Sequence, residues 1–306
     1  MPAKRTCGSP ARFASKLTPT GIAPIPDSRL VAFRPLVLSC GFLPVILSDA
    51  MLRIATWNVN SLRVRLPQVV NWLQAWQPDI LALQETKLVD ADFPRAELEG
   101  TGYRVVFAGE KTYNGVALLS RQPAAEVCSD LPGLNDSQRR LLGATIAGLR
   151  VLNLYVPNGQ AVGADKYEYK LNWLARLADY IQEQLLAYPD FIALGDFNIA
   201  PEDRDVHDPV AWAGQVLCSE AERSALRRLL ALGLVDTFRL FEQAPGHFSW
   251  WDYRAAAFRR NRGLRIDLIL AGPALASRCS ACRIDTATRA LERPSDHAPV
   301  VAEFAL

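Results

Sequence analysis

Asp190-Phe191-Ile192-Ala193-Leu194-Gly195-Asp196-Phe197-Asn198 is the stretch on which the rest of the chain can be arranged. Phe191 to Leu194 is an unbroken apolar run of strand length, the texture of a strand covered on both faces. Gly195 breaks it, and a carboxylate and a carboxamide follow two residues apart. With Phe197 between them, an extended backbone projects Asp196 and Asn198 from one face. An acid and an amide delivered together at the end of a buried strand can hold a water, a metal ion or a phosphate oxygen. They can also do no more than bond to their own backbone in a turn, the commoner fate of Asp and Asn. The difference lies in whether the remaining sequence sends matching groups to the same place.

Strands recur on both sides of this stretch. Leu52-Arg53-Ile54-Ala55-Thr56-Trp57-Asn58-Val59 alternates like a strand, and Ile80-Leu81-Ala82-Leu83 is short and wholly apolar before Gln84-Glu85-Thr86-Lys87. Residues 103–107 and 116–120, joined through Tyr113-Asn114-Gly115, read as two more. Arg150-Val151-Leu152-Asn153-Leu154-Tyr155-Val156 closes on Pro157-Asn158-Gly159, residues 248–253 are aromatic and strand-like, and 264–270 and 299–304 complete the set. Helical periodicity appears over residues 66–76, with Pro67 in the first turn, and over 166–186. A third helix runs from a Ser219-Glu220-Ala221-Glu222 capping box to a stop at Gly233. Strands interleave with a few helices without a linker or repeat, which predicts a single α/β sandwich with helices covering its sheets.

Residues 1–50 read differently. Prolines at 2, 10, 19, 24, 26, 35 and 44 leave no helical or strand period. Six basic side chains face two acidic ones there, a net of +4, so the remainder carries 28 basic against 30 acidic groups. A nucleic-acid surface on that near-neutral body has to be a local patch. The apolar run 36–47 is interrupted by Gly41 and Pro44 and is too short to span a bilayer. Met1 and Met51 are the two methionines, and Met51 directly precedes the first patterned strand. The functional domain is therefore expected at 51–306. The first fifty residues are then a disordered leader, the product of too early a start, or, as a secondary reading, an organellar targeting extension. The six cysteines are scattered. Cys279 and Cys282 have no second pair to complete a zinc site.

Asn58, Glu85, Tyr155, Asp196, Asn198 and Asp267 all sit on or just beyond strands, and Ser295-Asp296-His297 precedes the last one. Each alone has a plain structural explanation. Together they form a site where strand ends meet. Asn, Glu and Asp offer hard oxygen ligands with no Cys, which suits Mg²⁺ or Mn²⁺ and not zinc. A His and a Tyr beside these carboxylates match metal-assisted hydrolysis of a phosphate ester. The chain has no Gly-rich phosphate loop and no Ser or Cys nucleophile elbow.

The chain from Met51 onward resembles the exonuclease III family of DNA repair nucleases, within the DNase I-like endonuclease/exonuclease/phosphatase superfamily. The likeness is carried by Trp57-Asn58-Val59-Asn60-Ser61-Leu62-Arg63, Leu83-Gln84-Glu85-Thr86-Lys87, Asn114-Gly115-Val116-Ala117-Leu118-Leu119 and Tyr155-Val156-Pro157-Asn158. It continues in order through Gly195-Asp196-Phe197-Asn198, Gly233-Leu234-Val235-Asp236-Thr237-Phe238-Arg239, Asn261-Arg262-Gly263-Leu264-Arg265-Ile266-Asp267 and Ser295-Asp296-His297-Ala298-Pro299. The resemblance implies a four-layer α/β sandwich, two packed and mostly antiparallel sheets flanked by helices. It also implies one or two Mg²⁺ ions, with Mn²⁺ able to substitute.

By the same resemblance Glu85 is the principal metal carboxylate, with Asn58 and Asp296 in or near its shell. Asp196 orients and deprotonates the attacking water, and Asn198 holds that water or the developing charge. Both also stand as candidate metal ligands. His297 meets the scissile phosphate, positioned by Asp267, and Tyr155 donates to the phosphate or the leaving oxygen. Arg63, Tyr113, Asn114, Asn158, Trp250, Arg262 and His297 are the expected DNA contacts, Trp250 beside an extrahelical abasic sugar. Leu264 stands where some abasic endonucleases carry an aromatic, and residues 203–215 form a loop that varies between relatives. The implied partner is double-stranded DNA with abasic sites or 3′ blocking groups, met by a cytoplasmic monomer that does not engage a membrane. The alternatives are a small-molecule or lipid phosphatase of the same superfamily and a catalytically silent DNA-binding module. Trp250, the arginines at 259–265 and Tyr113-Asn114 weigh against the first, and the full set of catalytic residue types against the second.

Overall fold

The computed structural model describes residues 51–134 and 136–306. The expectations for residues 1–50 lie outside them. Among the described residues twelve strands follow in order: β1 (Met51–Asn58), β2 (Ile80–Gln84), β3 (Arg104–Ala108), β4 (Val116–Ser120), β5 (Ala124–Cys128), β6 (Leu141–Ile146), β7 (Leu149–Tyr155), β8 (Phe191–Asp196), β9 (Val235–Asp236), β10 (Asp267–Ala271), β11 (Cys279–Ile284) and β12 (Val300–Ala305). They form two six-stranded sheets, in the order β11-β12-β1-β2-β4-β3 and β5-β6-β7-β8-β10-β9. Each sheet has one parallel pair, β1 with β2 and β7 with β8, and is otherwise antiparallel. The parallel pairs need long crossovers. These are supplied by helix α1 (Leu62–Trp76) and by the span containing the long helix α3 (Asp165–Ala187), with α2 the short helix Arg95–Glu99 between them in sequence.

Three apolar clusters explain the continuous hydrophobic runs. Ile54, Ala82, Val116 and Phe304 of one sheet pack against Leu142, Val151, Ile192 and Leu194 of the other. The alternate residues of the first sheet, Ala55, Trp57, Leu81 and Leu83, pack on Val69, Trp72 and Leu73 of α1. Those of the second, Leu152, Leu154, Phe191 and Ala193, pack on Trp173, Leu177 and Ile181 of α3. Both faces of each central strand are thus covered, which makes a helix–sheet–sheet–helix sandwich.

Between α3 and the C-terminal strands lie α4 (Pro209–Trp212), α5 (Glu220–Ala231) and α6 (Pro273–Ala276). The α5 capping box forms as expected, with the Ser219 hydroxyl accepting from Glu222 N and the Glu222 carboxylate accepting from Ser219 N. Among the described residues no helix is long and apolar enough to cross a membrane. The described cysteines Cys128, Cys218, Cys279 and Cys282 are free thiols.

Three expectations need correction. Helix α1 starts at Leu62 and not at 66, because Ser61 and Leu62 donate to the carbonyls of Glu85 and Thr86 and anchor an earlier start. Pro67 is therefore inside the helix, where it lacks a donor for the carbonyl of Arg63. Residues 248–253 form no extended strand; Trp250 alone makes isolated bridges, to Leu264 and His297. The strand expected at 264–270 begins instead at Asp267, since Leu264 and Arg265 bond sideways to Trp250 and to Asp205 of the neighbouring loop.

Candidate active site

Strand register sets the site. At one edge of the second sheet Tyr155 pairs with Asp196 and Asp196 with Asp267, so β7, β8 and β10 present their polar residues side by side. At the facing edge of the first sheet Asn58 pairs with Gln84, immediately before Glu85. Gly195 permits the approach. Its φ is +144°, and a Cβ there would lie 1.9 Å from the carbonyl oxygen of Leu154.

Asn58 joins the two sheets. It is fully buried, and its Nδ2 donates to Glu85 Oε1 and to Asp196 Oδ2, each at 2.9 Å. Glu85 also accepts from the Tyr155 hydroxyl at 2.8 Å and pairs with Lys87 Nζ at 2.9 Å. Burial alone would raise the Glu85 carboxyl, but the Lys87 ammonium and the Asn58 amide hold it below the ordinary range. Burial, with the nearby Glu85 and Asp196 charges, pushes the Tyr155 phenol well above its usual value and keeps it a donor.

Asp196 accepts three hydrogen bonds: from Asn198 N at 2.9 Å, from Asn58 Nδ2, and from Asn198 Nδ2 at 3.1 Å. A carboxylate has about four such positions, so one remains for a substrate or water proton. Burial raises its pKa to about 7 against the pull of His297, whose Nε2 lies 3.8 Å away. His297 is aligned by Asp267, with Nδ1 2.9 Å from Oδ2. Asp267 Oδ2 is in turn fixed by the Ser249 hydroxyl at 2.6 Å. Burial opposes charge on the imidazole, but Asp267 and Asp196 override it and lift His297 to about 10. Its Nδ1–H faces Asp267, which leaves Nε2–H to donate toward the cleft.

The expected catalytic residues Tyr155, Asp196, Asn198, Asp267 and His297 therefore converge with Asn58 and Glu85. Glu85, Asp196 and His297 each offer an atom within 4.8 Å of the others. His297 is committed to Asp267 and carries a proton, so the donors left for a cation are oxygens of Glu85, Asp196 and Asn58. This set fits a hard divalent ion. Asp296 stands apart, with Oδ1 accepting from Asn60 Nδ2 at 2.8 Å and Oδ2 from Trp250 Nε1 at 3.0 Å.

The rim holds the expected DNA contacts. Tyr113 is 68% exposed, and Asn158 and Arg262 are exposed as well. Arg63 is exposed and paired with Asp92 at 3.0 Å. Trp250 is half-buried, one bridge from His297 and one from Leu264, which itself bridges Val206, between the short helical turn Asp203–Asp205 and α4. Asn114 lines the same cleft as Tyr113. It is 6% exposed, and its amide donates to Glu110 and Gln138, so its side chain holds the turn that presents Tyr113. A cavity of about 700 Å³ opens beside Glu85 and Tyr155, lined also by Lys87, Tyr113, Arg140 and Asn158. Sequence reasoning gave no roles to Asn60, Lys87, Arg140 and Ser249. Asn60 and Lys87 lie two residues beyond Asn58 and Glu85, the one signal that pointed to them. Arg140, whose guanidinium sits 4.7 Å over the Tyr155 ring, had none.

Residues 55–297 match the model of the endonuclease/exonuclease/phosphatase family. The chain belongs to that family. Within it, the chain is 37% identical over 266 residues to an exodeoxyribonuclease III of Haemophilus influenzae, covering 83% of this chain and 100% of that protein. A Neisseria 3′ phosphatase solved with a product DNA hairpin is 48% identical with a TM-score of 0.82, and an AP endonuclease from Archaeoglobus fulgidus is 42% identical with a TM-score of 0.80. Each of these comparisons covers 83% of this chain and 100% of the solved one. The family drawn from the motifs is thus the right one, its two-sheet sandwich is the fold observed, and the protein is an enzyme of the exodeoxyribonuclease III and AP endonuclease type.

Proposed function

We propose that residues 51–306 form a Mg²⁺-dependent DNA repair phosphodiesterase, for which Mn²⁺ can substitute. It cuts duplex DNA 5′ to abasic sites and clears 3′ blocking groups or nucleotides to leave a 3′ hydroxyl. The observation that carries this reading is the buried chain of contacts from Glu85 through Asn58 to Asp196, with the His297–Asp267 pair 3.8 Å beyond. It is a water-activating carboxylate set between an oxygen-rich cation site and a protonated imidazole. The Neisseria relative, bound to DNA and 48% identical, supports DNA as the substrate.

Asp196 uses its remaining acceptor position to take a proton from the attacking water, and a pKa near the working pH suits that task. Asn198, whose Nδ2 also bonds the Val156 carbonyl at 3.0 Å, fixes the water's approach. His297 Nε2–H donates to a non-bridging phosphate oxygen, where charge builds as the water attacks. Tyr155 is held by Arg140 and Glu85 with its hydroxyl toward the leaving side. A divalent ion held by Glu85 and Asn58, with Asp196 close by, would neutralise phosphate charge and stabilise the departing 3′ oxygen. Arg63, Tyr113, Asn158 and Arg262 bind the strands around this floor, with Trp250 beside the extruded sugar. The protein works as a cytoplasmic monomer.

The test uses three labelled duplexes, one abasic, one blunt and one with a 3′ phosphate, each with Mg²⁺ or EDTA. Cleavage of all three in Mg²⁺ and of none in EDTA is expected. Equal turnover in EDTA, or hydrolysis confined to small phosphomonoesters, overturns the proposal.

A further inference from the structure

Lys170 of α3 and Glu222 of α5 form an ion pair in which both side chains are 0% exposed. A buried pair of this kind is usually no more stabilising than apolar residues of the same volume, so its contacts are the better guide to its role. Lys170 Nζ has three protons and three acceptors: Asn198 O at 2.6 Å, Asn158 O at 3.1 Å and Glu222 Oε1 at 2.5 Å. Glu222 uses its remaining capacity on Leu217 N at 3.0 Å, Ser219 N at 3.1 Å and the Ser219 hydroxyl at 2.6 Å. The ammonium therefore gathers the loop after β7 and the loop after β8, and through Glu222 ties them to the loop that precedes α5.

Two of those loops carry strained residues at the points of attachment. Asn198 has φ +49° and Leu217 has φ +74°, left-handed values that cost a non-glycine residue free energy unless its surroundings impose them. They are tied to each other, since Ala200 N donates to Leu217 O at 2.8 Å. The carboxamides of Asn198 and Asn158 meet directly, Nδ2 of the latter to Oδ1 of the former at 3.1 Å. If the Asn198 carbonyl swings away from Lys170, its side chain leaves both Asp196 and Asn158.

We propose that the Lys170–Glu222 pair is a positioning device for catalysis, which sets the Asn198 backbone so that its carboxamide and Asp196 aim one water. The inference rests on the reading of Asp196 and Asn198 given above. Neither Lys170 nor Glu222 touches substrate, so the effect belongs to turnover and not to DNA affinity.

The test compares wild type with Lys170→Met, and with Lys170→Met/Glu222→Gln, which leaves no unpaired buried charge if the single variant fails to fold. Measured on an abasic duplex with Mg²⁺, the folded double variant is expected to lose roughly 10- to 100-fold in kcat. KM and the Kd for uncleaved duplex in EDTA should stay within about threefold. A double variant whose kcat, corrected for its folded fraction, equals wild type overturns the inference. So does one that loses KM and kcat together. A wild type that cleaves no duplex would instead sink the functional reading on which the inference rests.

Discussion

Asp196 and Tyr113 belong to the same cleft and are held in opposite ways. Asp196 is 1% exposed, stands at the end of a central strand, and accepts its three hydrogen bonds from Asn58 and Asn198. Tyr113 is 68% exposed on the tip of a turn, and that turn is secured by its neighbour Asn114. A contrast in burial divides the two groups of residues. The floor, with Asn58, Asp196, Asn198, Asp267 and His297, is made of buried groups bonded to one another and to close neighbours such as Glu85 and Ser249. The rim, with Arg63, Tyr113, Asn158 and Arg262, is made of exposed groups, of which Arg63 pairs with Asp92 and Asn158 reaches down to Asn198. On the function proposed above, floor residues set the rate of the chemical step, while rim residues set which DNA is presented to it. Substitutions in the two regions should separate kcat from KM.

The largest effect is expected from Asp196→Asn. The amide preserves volume and most of the local contacts but cannot take a proton, so kcat should fall roughly 100- to 10,000-fold. Abasic duplex binding should persist. Near-normal turnover would falsify the assignment of Asp196 as base. Gly195→Ala attacks the same floor through its backbone. A Cβ 1.9 Å from the Leu154 carbonyl, at φ +144°, forces β7 and β8 apart, at a cost of about 3 kcal/mol of stability. Urea denaturation measures it, and an unchanged midpoint would mean that the two strands tolerate a wider spacing.

Asp267→Asn tests the next layer. Without the carboxylate the His297 imidazolium loses the neighbour that most favours its charge. A loss of roughly 100-fold in kcat is expected, with KM little changed. If KM rose instead, His297 would be acting chiefly in DNA binding and would belong with the rim.

The two regions also differ in how far they could be read from sequence. The floor was legible because strand ends are legible. Apolar runs mark β1, β2, β7 and β8, and the polar residue that closes each is where catalytic groups gather. The rim was legible only as residue types on loops, and nothing in Tyr113-Asn114-Gly115 shows that the Asn114 amide bonds to Glu110 and Gln138. Strands with weak patterns escaped altogether. Cys279 to Ile284 has little apolar alternation and carries a register shift, and Leu141 to Ile146 is interrupted by Gly143. The expected strand at 264–270 failed for the converse reason. Its pattern is right, but Arg265 is drawn off by Asp205 and Asp236 at 2.6 and 2.7 Å, pairings separated by 60 and 29 residues in sequence. Lys170 was visible only as a charge on a helix, and its three acceptors come from two loops and from α5, which no local rule brings together.

The smallest effects should come from the rim arginines, and they divide the rim itself. Arg262 is exposed two residues before Leu264, which bridges Trp250, so it stands beside the row leading to His297. Arg262→Ala should raise KM a few-fold, leave kcat unchanged and flatten the salt dependence of KM by about one counterion. Arg63 differs because it already has a partner, Asp92, in a pair with both side chains more than half exposed. Such a pair contributes little, and a DNA phosphate can displace the carboxylate, but part of the gain is then spent on separating the two. Arg63→Ala should therefore shift KM by less than Arg262→Ala does. Asp92→Ala, which frees Arg63 in advance, should lower KM by less than about threefold. An Asp92→Ala protein whose KM rises would show that the carboxylate orients Arg63 for DNA instead of competing with it.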